Sequence, residues 1–472
     1  MLKAGAFLAA GLVCGLLTLF AVPSAQAQTL EDALIAAYTG NPTLQAERAK
    51  LRQTDELVPQ AKAGWKPTVA VDAGAGVSWI RRTFHDQLKN PVTGVGISDT
   101  TDHTDNPVSA ALSLSQPVYR GGTTAAELRQ ADNTVLAERA QLAVVEEQVL
   151  LQAITAYVDV VRDVAVVDLT KNNQNVIEEQ LKSTQERFDV GEVTKTDVSQ
   201  AQARLAGAVA DVVQAQGNLT ASRASYKQVI GEMPGKLTRP PVPTNLPSSS
   251  DETVALSENN PAVHAAIFVE KAARDGTDAV FGELLPHVSV VGSVGIDNDV
   301  QGHDVTQKDA TISAQVTIPL YQAGGVESRV REQKQLVGQR RNELDQARRT
   351  AIQEAMTSWE ALDTARAQIE SFKAQVQSNK VALDGVVQEQ EVGLRTVLDV
   401  LNAQQEVLTS QVSLVGAQHD EIVAAYQVQA AIGRLTSVDL SLRVQPYDVR
   451  QHYDEVKDKW WGLNASGQPP GQ

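Results

Sequence analysis

Several residue types are scarce in this 472-residue chain, and each scarcity excludes a class of protein. There is one cysteine, which excludes a disulfide framework and cysteine-ligated zinc or iron–sulfur centres. Aromatic residues make up 4%, which is low for a large globular enzyme but compatible with long helices packed through alanine, valine and leucine. The 41 basic residues are outnumbered by 57 acidic ones, and a net charge of −16 argues against a general binder of nucleic acid or anionic lipid.

Sequence motifs that carry chemistry are also missing. The chain has no P-loop, no dinucleotide fingerprint after a strand and no H-E-x-x-H, so we predict that it is not an enzyme and needs no cofactor. The seven histidines do not cluster at ligand spacing. A polar stretch could chelate a cation in principle, but a solvated loop is the simpler interpretation and we predict no metal site; its candidate ligands are His85, Asp86, Asp99, Asp102, His103 and Asp105.

The N-terminus has the three parts of a secretory signal peptide. Lys3 supplies a positive charge, Ala4 to Phe20 is an apolar run, and Ala25-Gln26-Ala27 fits a cleavage site. We therefore predict a signal peptide over residues 1–27, which removes Cys14 from the exported chain. No later stretch is long and apolar enough for a spanning helix, so any insertion into a membrane would have to use strands.

The rest of the chain contains an internal duplication. Paired segments recur in the same order and at a nearly constant offset, which chance does not produce. They divide the chain into a first repeat over 28–233, a proline- and serine-rich linker over 234–250, a second repeat over 251–435 and a tail over 436–472. The matching pairs are Asn41-Pro42 with Asn260-Pro261, Pro67 to Val71 with Pro286 to Val290, Pro117 to Tyr119 with Pro319 to Tyr321, Tyr157 with Trp359, and Val190 to Val198 with Val392 to Val400.

Each repeat predicts a pair of long helices. Thr123 to Phe188 and Val326 to Glu391 contain no proline, and their apolar residues recur every seven positions. After the Val-Gly break at 190–191 a row of large residues runs beside a row of small ones, a pattern typical of closely packed coiled coils. About 65 residues at 1.5 Å each give a rod of roughly 100 Å, which favours a projecting tube over an ordinary bundle.

Each repeat also predicts two strands, at 66–80 and 107–119 in the first and at 286–296 and 310–321 in the second. Alternating polarity over about ten residues fits transmembrane strands, and it fits soluble hairpins equally well. Polar loops are predicted over 81–105 and 300–308. If the strands lie in lipid, four of them cannot close a barrel, because open edges leave backbone groups unpaired and closed barrels begin at about eight strands. Several chains would then have to share one barrel.

On these motifs the chain resembles the TolC family of outer-membrane channels, which serve type I secretion and tripartite efflux. The resemblance covers the exported chain and rests most on the doubled V-G-x-x-T-x-x-D-V motif within the heptad helices. It implies an α+β membrane protein located in the outer membrane: a homotrimer with a twelve-stranded barrel, four strands per chain, in outer-membrane lipid. The barrel would continue into a coiled-coil tunnel that crosses the periplasm to a closed tip.

The resemblance also implies roles for residues at that tip. Asp399 matches the family's pore-ring aspartate, and Arg395 matches the arginine that ties neighbouring tip helices together, with Thr196 and Asp197 as its bonding partners. Asn402 stands where a second acidic ring often lies and Gln390 where a gate tyrosine can be, so we expect a weaker latch. An alternative for Asp399 is that it only caps the following helix. The two tip motifs expected to dock an adaptor comprise Val190, Gly191, Thr194, Val392, Gly393 and Thr396.

Two functions follow as hypotheses. The first is a gated exit duct that works with a periplasmic adaptor protein and an inner-membrane ABC or proton-driven transporter. The second is a coiled-coil envelope scaffold that conducts nothing and whose strands are soluble hairpins. The sequence does not name the exported cargo.

Overall fold

The protein is described here from a computed structural model, over residues 28–89, 91–94, 96–300 and 304–464. The predicted signal peptide lies outside these residues. In each repeat short helices precede the strands, and a very long helix and a shorter one follow them. The helices are α1 Leu30–Gly40, α2 Pro42–Asp55, α3 Leu57–Lys62, α4 Thr123–Asp189, α5 Lys195–Ile230, α6 Ser250–Leu256, α7 Pro261–Gly282, α8 Gly325–Glu391, α9 Val397–Ala431 and α10 Gln451–Val456. The strands are β1 Thr68–Ala75, β2 Ser78–Lys89, β3 Gly96–Asp105, β4 Val108–Arg120, β5 His287–Asn298 and β6 Thr306–Thr317.

The two long helices have the predicted extent. Both α4 and α8 contain 67 residues, which corresponds to about 100 Å. Each follows a glycine in the left-handed region, Gly122 at φ 82° and Gly324 at φ 75°, a conformation that side chains with a Cβ avoid. The heptad rows are the packed faces, and their buried members are Val135, Leu142, Val149, Val198, Ala201, Ala208, Val212, Ala215, Ser222, Tyr226, Leu362, Ile369, Val376, Val400, Val407, Ser410, Ala417 and Ala424.

Four strands, two from each repeat, form one antiparallel sheet. Its order is β1-β4-β5-β6, so the two repeats join where β4 pairs with β5, for example Leu112 opposite Val294. Large apolar side chains of this sheet stay exposed in the single chain, including Val71 at 71% and Ile312 at 81%. The outer strands β1 and β6 each have a partner on one side within the described part of the chain.

The prediction of a loop over 81–105 is wrong for most of that segment. Strands β2 and β3 fill it as a separate antiparallel hairpin, and the predicted strand 66–80 breaks at residues 76–77 between β1 and β2. The polarity of the segment suggested a loop, but its threonines favour extended backbone and face one another across the hairpin, as Thr83 does Thr100. Arg81 also donates two 2.7 Å bonds to the carboxylate of Asp102 on the opposite strand.

The last predicted strand is displaced from its observed position. We expected 310–321 after a loop over 300–308, whereas β6 spans Thr306–Thr317. Residues 318–321 are not in the sheet, since Pro319 has no N–H to donate. The matching proline of the first repeat, Pro117, stays within β4 at a register shift between Pro117 and Tyr119.

The duplicated Asn-Pro pair joins the short helices to the ends of the helical hairpins. Asn41 caps α2 by accepting the Thr43 N–H at 2.9 Å, and its amide donates to the Val229 carbonyl near the end of α5 at 2.9 Å. Asn260 repeats both contacts in the second repeat, with the Ala262 N–H at 2.8 Å and the Ala431 carbonyl of α9 at 3.2 Å. Each asparagine therefore serves as an N-cap and as a tie.

The segment expected to be a linker is held against both repeats. It contains no regular helix before Ser250. It runs past Tyr157 and Trp359, the aromatic residues that match between the two repeats. The Tyr157 hydroxyl lies 2.7 Å from the Thr238 carbonyl, and Val242 and Leu246 pack against the same buried cluster as Trp359, which includes Leu362 of α8. These contacts fix the segment to α4 and α8.

The C-terminal tail covers the first repeat. Its Tyr447 N–H donates to the Tyr38 hydroxyl at 2.9 Å, and the Arg48 guanidinium lies over both tyrosine rings. Further along, the buried side chain of His452 meets the buried carboxylate of Asp55 at 3.1 Å. The tail is thus part of the packed body of the protein.

Candidate functional site

The candidate site is the pair of tips where each long helix turns into its shorter partner. Both turns are built on a glycine in the left-handed region, Gly191 at φ 81° and Gly393 at φ 78°. In the first tip the Glu192 N–H donates to the Arg187 carbonyl at 2.9 Å, and in the second tip the Leu394 N–H donates to the Glu389 carbonyl at 2.8 Å. This arrangement ends a helix by satisfying its last carbonyls, and it needs glycine at the turn. The two tips are therefore copies in geometry as well as in sequence.

A capping box restarts the helix after each turn. Thr396 caps α9 by accepting the Asp399 N–H at 3.3 Å, and the Asp399 carboxylate accepts the Thr396 N–H at 2.9 Å and its hydroxyl at 2.8 Å. Thr194 and Asp197 form the same box on α5, with carboxylate distances of 2.9 and 2.7 Å. The predicted capping role of Asp399 is thus present in the structure, and one of its two carboxylate oxygens makes both of these bonds.

The electrostatics of the second tip keep Asp399 negatively charged. The hydrogen bond from the Thr396 backbone N–H lowers the pKa of Asp399 below its ordinary value, and the Thr396 hydroxyl and the positive charge of Arg395 act in the same direction. Asp399 therefore stays ionised at neutral pH.

The arginine of the second tip is paired within its own tip. Arg395 Nε lies 2.8 Å from Glu389 Oε2, across the turn. The first tip has an equivalent pair in the reverse order, Arg187 Nε with Glu192 Oε2 at 3.1 Å. Thr196 is exposed and the carboxylate of Asp197 is engaged by Thr194, so this single chain does not bring Arg395 to either predicted partner.

Asn402 has a partner that the sequence reasoning missed. Its side-chain oxygen accepts from the Arg204 guanidinium at 2.6 Å, which ties α9 of the second repeat to α5 of the first. A signal was available, since Arg204 is the one basic residue between Thr196 and Ser222. Apolar residues complete this junction of the repeats, and they are Ile177, Ala201, Ala208, Val397 and Leu401.

The two tips also expose apolar side chains. Val190 and Val392 are both 72% exposed, and Leu394 is 76% exposed. Gln390, four residues before Leu394, is buried, and its carbonyl accepts the Gly393 N–H at 3.1 Å. An apolar residue displayed at the same position of both tips is available for contact with another protein.

Two further observations concern alternative kinds of site. Within the described ranges, no helix has the length and apolar character needed to cross a membrane. Among the side chains that the structure describes, no three histidine, cysteine, aspartate or glutamate residues are grouped to hold a metal. In the predicted polar loop, His103 Nε2 lies 3.1 Å from the buried carboxylate of Asp105, as an ordinary pair.

The structure joins an open four-stranded sheet with exposed apolar side chains to helical hairpins of about 100 Å, which is the arrangement expected of a membrane channel with an attached helical conduit. The chain belongs to the outer membrane efflux protein family, whose model matches residues 34–232 and 254–434. The two matched stretches coincide closely with the two repeats.

Known proteins are similar to this chain over almost its whole length. Outer membrane efflux protein BepC of Brucella suis is 34% identical over 444 residues, covering 94% of this chain and 93% of that protein. Outer membrane protein TolC of Escherichia coli K12 is 25% identical over 439 residues, covering 88% and 84%. In fold, the chain is similar to the CmeC outer membrane channel of Campylobacter jejuni, with a TM-score of 0.75, 17% identity, and coverage of 91% of this chain and 89% of that one.

These comparisons confirm the predicted family and fold class, in which one chain contributes four barrel strands and two coiled-coil hairpins from an internal duplication. The protein is an outer-membrane channel with a periplasmic helical part, and it is not an enzyme. Family membership therefore decides against the alternative of a scaffold that conducts nothing.

Proposed function

We propose that the chain forms a homotrimeric exit duct, closed at its helical tips, for an efflux or type I secretion system. The observation that carries the proposal is the doubled tip: two hairpins with the same turn, capping box and exposed valine in one chain. Three chains would place six such tips in a ring, with the two repeats alternating around it.

The trimer follows from the sheet. Strands β1 and β6 each offer an unpaired edge, and a four-stranded sheet in lipid would leave those backbone groups unsatisfied. Three chains give twelve strands, which exceeds the roughly eight needed to close a barrel. β1 of one chain would pair with β6 of the next, and the twelve strands would close.

The proposed gate lies at the second tip. Three-fold symmetry brings the Asp399 carboxylates of the chains near one another, and a ring of negative charge attracts and holds cations. Asn402 contributes no charge and is occupied by Arg204, so the ring has one acidic layer. Arg395, Thr196 and Asp197 would latch neighbouring tips, with Arg395 exchanging Glu389 for a partner on the adjacent hairpin.

The exposed tips are the docking site for a periplasmic adaptor. Val190 and Val392 would insert between the adaptor's helices, while Gly191, Gly393 and the capping threonines Thr194 and Thr396 hold the turns rigid. An inner-membrane ABC or proton-driven transporter would supply the energy, because nothing in the chain's motifs hydrolyses nucleotide.

Asp399→Asn tests the gate, since an amide oxygen still accepts the capping bonds while the charge is lost. In planar bilayers we expect the cation-to-anion permeability ratio to fall roughly threefold or more, and block by trivalent cations to be relieved. Glu192→Gln is the control, because it removes one exposed carboxylate charge from the first tip and Glu192 belongs to neither the proposed ring nor the latch. Equal selectivity in wild type and Asp399→Asn would remove Asp399 from the pore lining.

A further inference from the structure

A cavity of about 540 Å³ lies between α4, α8, α9 and the first turn of α7, far along the helices from the tips. Its size is within the range that holds small organic ligands. Its lining contains two carboxyl side chains, Glu147 and Glu354, and no basic side chain among the residues described. The remaining lining is apolar or carries neutral amides and hydroxyls.

Glu147 is buried without a charged partner. It is 6% exposed, and within the described part of the chain the charged groups that act on it, Asp439 and Glu146, are both negative. Its one hydrogen bond is a long one, from the Leu435 N–H at 3.5 Å, whereas neighbouring Glu146 accepts the Ser437 N–H at 2.7 Å. A buried carboxylate in this position gains a large stabilisation from any cation that can reach it.

The surroundings of Glu147 indicate what kind of cation fits. Val144 and Leu151 stand on the same face of α4, and Ala430 and Ala431 face them from α9. These side chains suit a hydrophobic body, while a hard metal ion prefers a cage of six or more oxygen ligands. We propose that this cavity binds an amphipathic organic monocation, with its ammonium group against Glu147 and its apolar part against α4 and α9.

Binding to this site depends on pH. Burial raises the pKa of Glu147 to about 8, the charges of Asp439 and Glu146 add to the rise, and the Leu435 N–H opposes it. Glu354 on α8 faces the cavity from the other side, and α9 contributes the neutral Gln427. At pH 7 about a tenth of Glu147 is ionised, so affinity for a permanent cation should rise about tenfold between pH 7 and pH 9.

The test uses the purified full-length channel in detergent and isothermal titration calorimetry. The probe is 1-naphthylmethyl-trimethylammonium, whose charge does not titrate, and 1-naphthylmethanol is its neutral counterpart. We expect Glu147→Gln to weaken binding of the cation at least tenfold at pH 9 and to leave the neutral probe unchanged. Glu354→Gln is the matched control at the exposed side of the cavity, with an expected effect under threefold.

A second variant keeps the test decisive if Glu147→Gln disturbs the fold. Ala262→Phe, at an exposed lining position, fills the cavity while Glu147 is retained. It should weaken binding of the cationic probe as much as Glu147→Gln does. The proposal is overturned if Glu147→Gln and wild type bind the cation alike, if the neutral probe binds wild type as tightly, or if millimolar Mg²⁺ displaces the probe. Because binding is measured directly, none of these outcomes depends on whether the protein conducts.

Discussion

Among the described residues, the hydrogen bonds between the 234–250 segment and α4 all involve one hydroxyl group, and Tyr157→Phe removes it. The Tyr157 ring is fully buried, and its hydroxyl lies 2.8 Å from the Gln28 carbonyl and 2.7 Å from the Thr238 carbonyl. It also accepts the Thr238 N–H at 3.1 Å. One hydroxyl donates to one carbonyl at a time, so the variant loses one donated and one accepted bond.

The expected size follows from those two bonds. Thr238 is exposed, so water can replace part of what is lost, and the free energy of local opening should fall by about 1 to 2 kcal/mol. That corresponds to roughly 5- to 30-fold faster hydrogen exchange at the Thr238 amide. The assay is hydrogen–deuterium exchange of the intact protein, read on peptides that cover 234–250.

Tyr226→Phe is the matched control. Tyr226 is fully buried, its ring centroid lies 6.4 Å from that of Tyr157, and its hydroxyl has no hydrogen-bond partner within the described part of the chain. Its removal should leave the exchange of this segment unchanged. The reasoning is refuted if Tyr157→Phe changes exchange by less than twofold, or if Tyr226→Phe accelerates it equally.

Two further predictions concern charged contacts. Arg395→Ser should raise single-channel conductance in planar bilayers, because it loosens the second tip. Arg187→Ser removes the corresponding 3.1 Å pair of the first tip and should leave conductance unchanged. If the Arg395→Ser channel is as closed as wild type, the latch lies elsewhere. Burial acts to lower the pKa of His419, but 2.9 Å hydrogen bonds to Asp159 and Asp420 outweigh it and raise the pKa, with Arg162 opposing. The stabilisation from this α4–α9 contact is therefore complete below about pH 6.5 and is lost as pH rises through the higher folded-state pKa, so the Tm should fall over that window. His419→Gln should abolish this part of the pH dependence, and a wild-type profile as flat as the variant's would contradict it.

The long helices and the duplication could be predicted because each depends on many residues. The apolar residues of α4 and α8 recur at heptad spacing over several turns, and no proline interrupts either helix. The tips could be predicted for a different reason: glycine at 191 and 393 is required by the left-handed turn, and Thr-x-x-Asp is required by the capping box. These requirements are local, so the sequence displays them directly.

The features that were missed depend on pairing across the chain. The β2–β3 hairpin has polar strands whose pairing, such as Arg81 with Asp102, is visible only in register. The contact between Arg204 and Asn402 joins two repeats that are far apart in sequence. Composition identified 234–250 as a linker, but its attachment through Tyr157 depends on a hydroxyl whose partners no local pattern reveals. Glu147 directly follows Glu146 on α4, and only the fold shows that its side chain is buried.

We propose that three chains share one barrel in the outer membrane. It is tested most directly by the mass of the particle extracted from outer-membrane fractions, measured by light scattering with correction for bound detergent. We expect a stable particle of three chains. A monomer or dimer recovered from the soluble periplasmic fraction would contradict it, because strands β1 and β6 would then have no partner across a shared barrel.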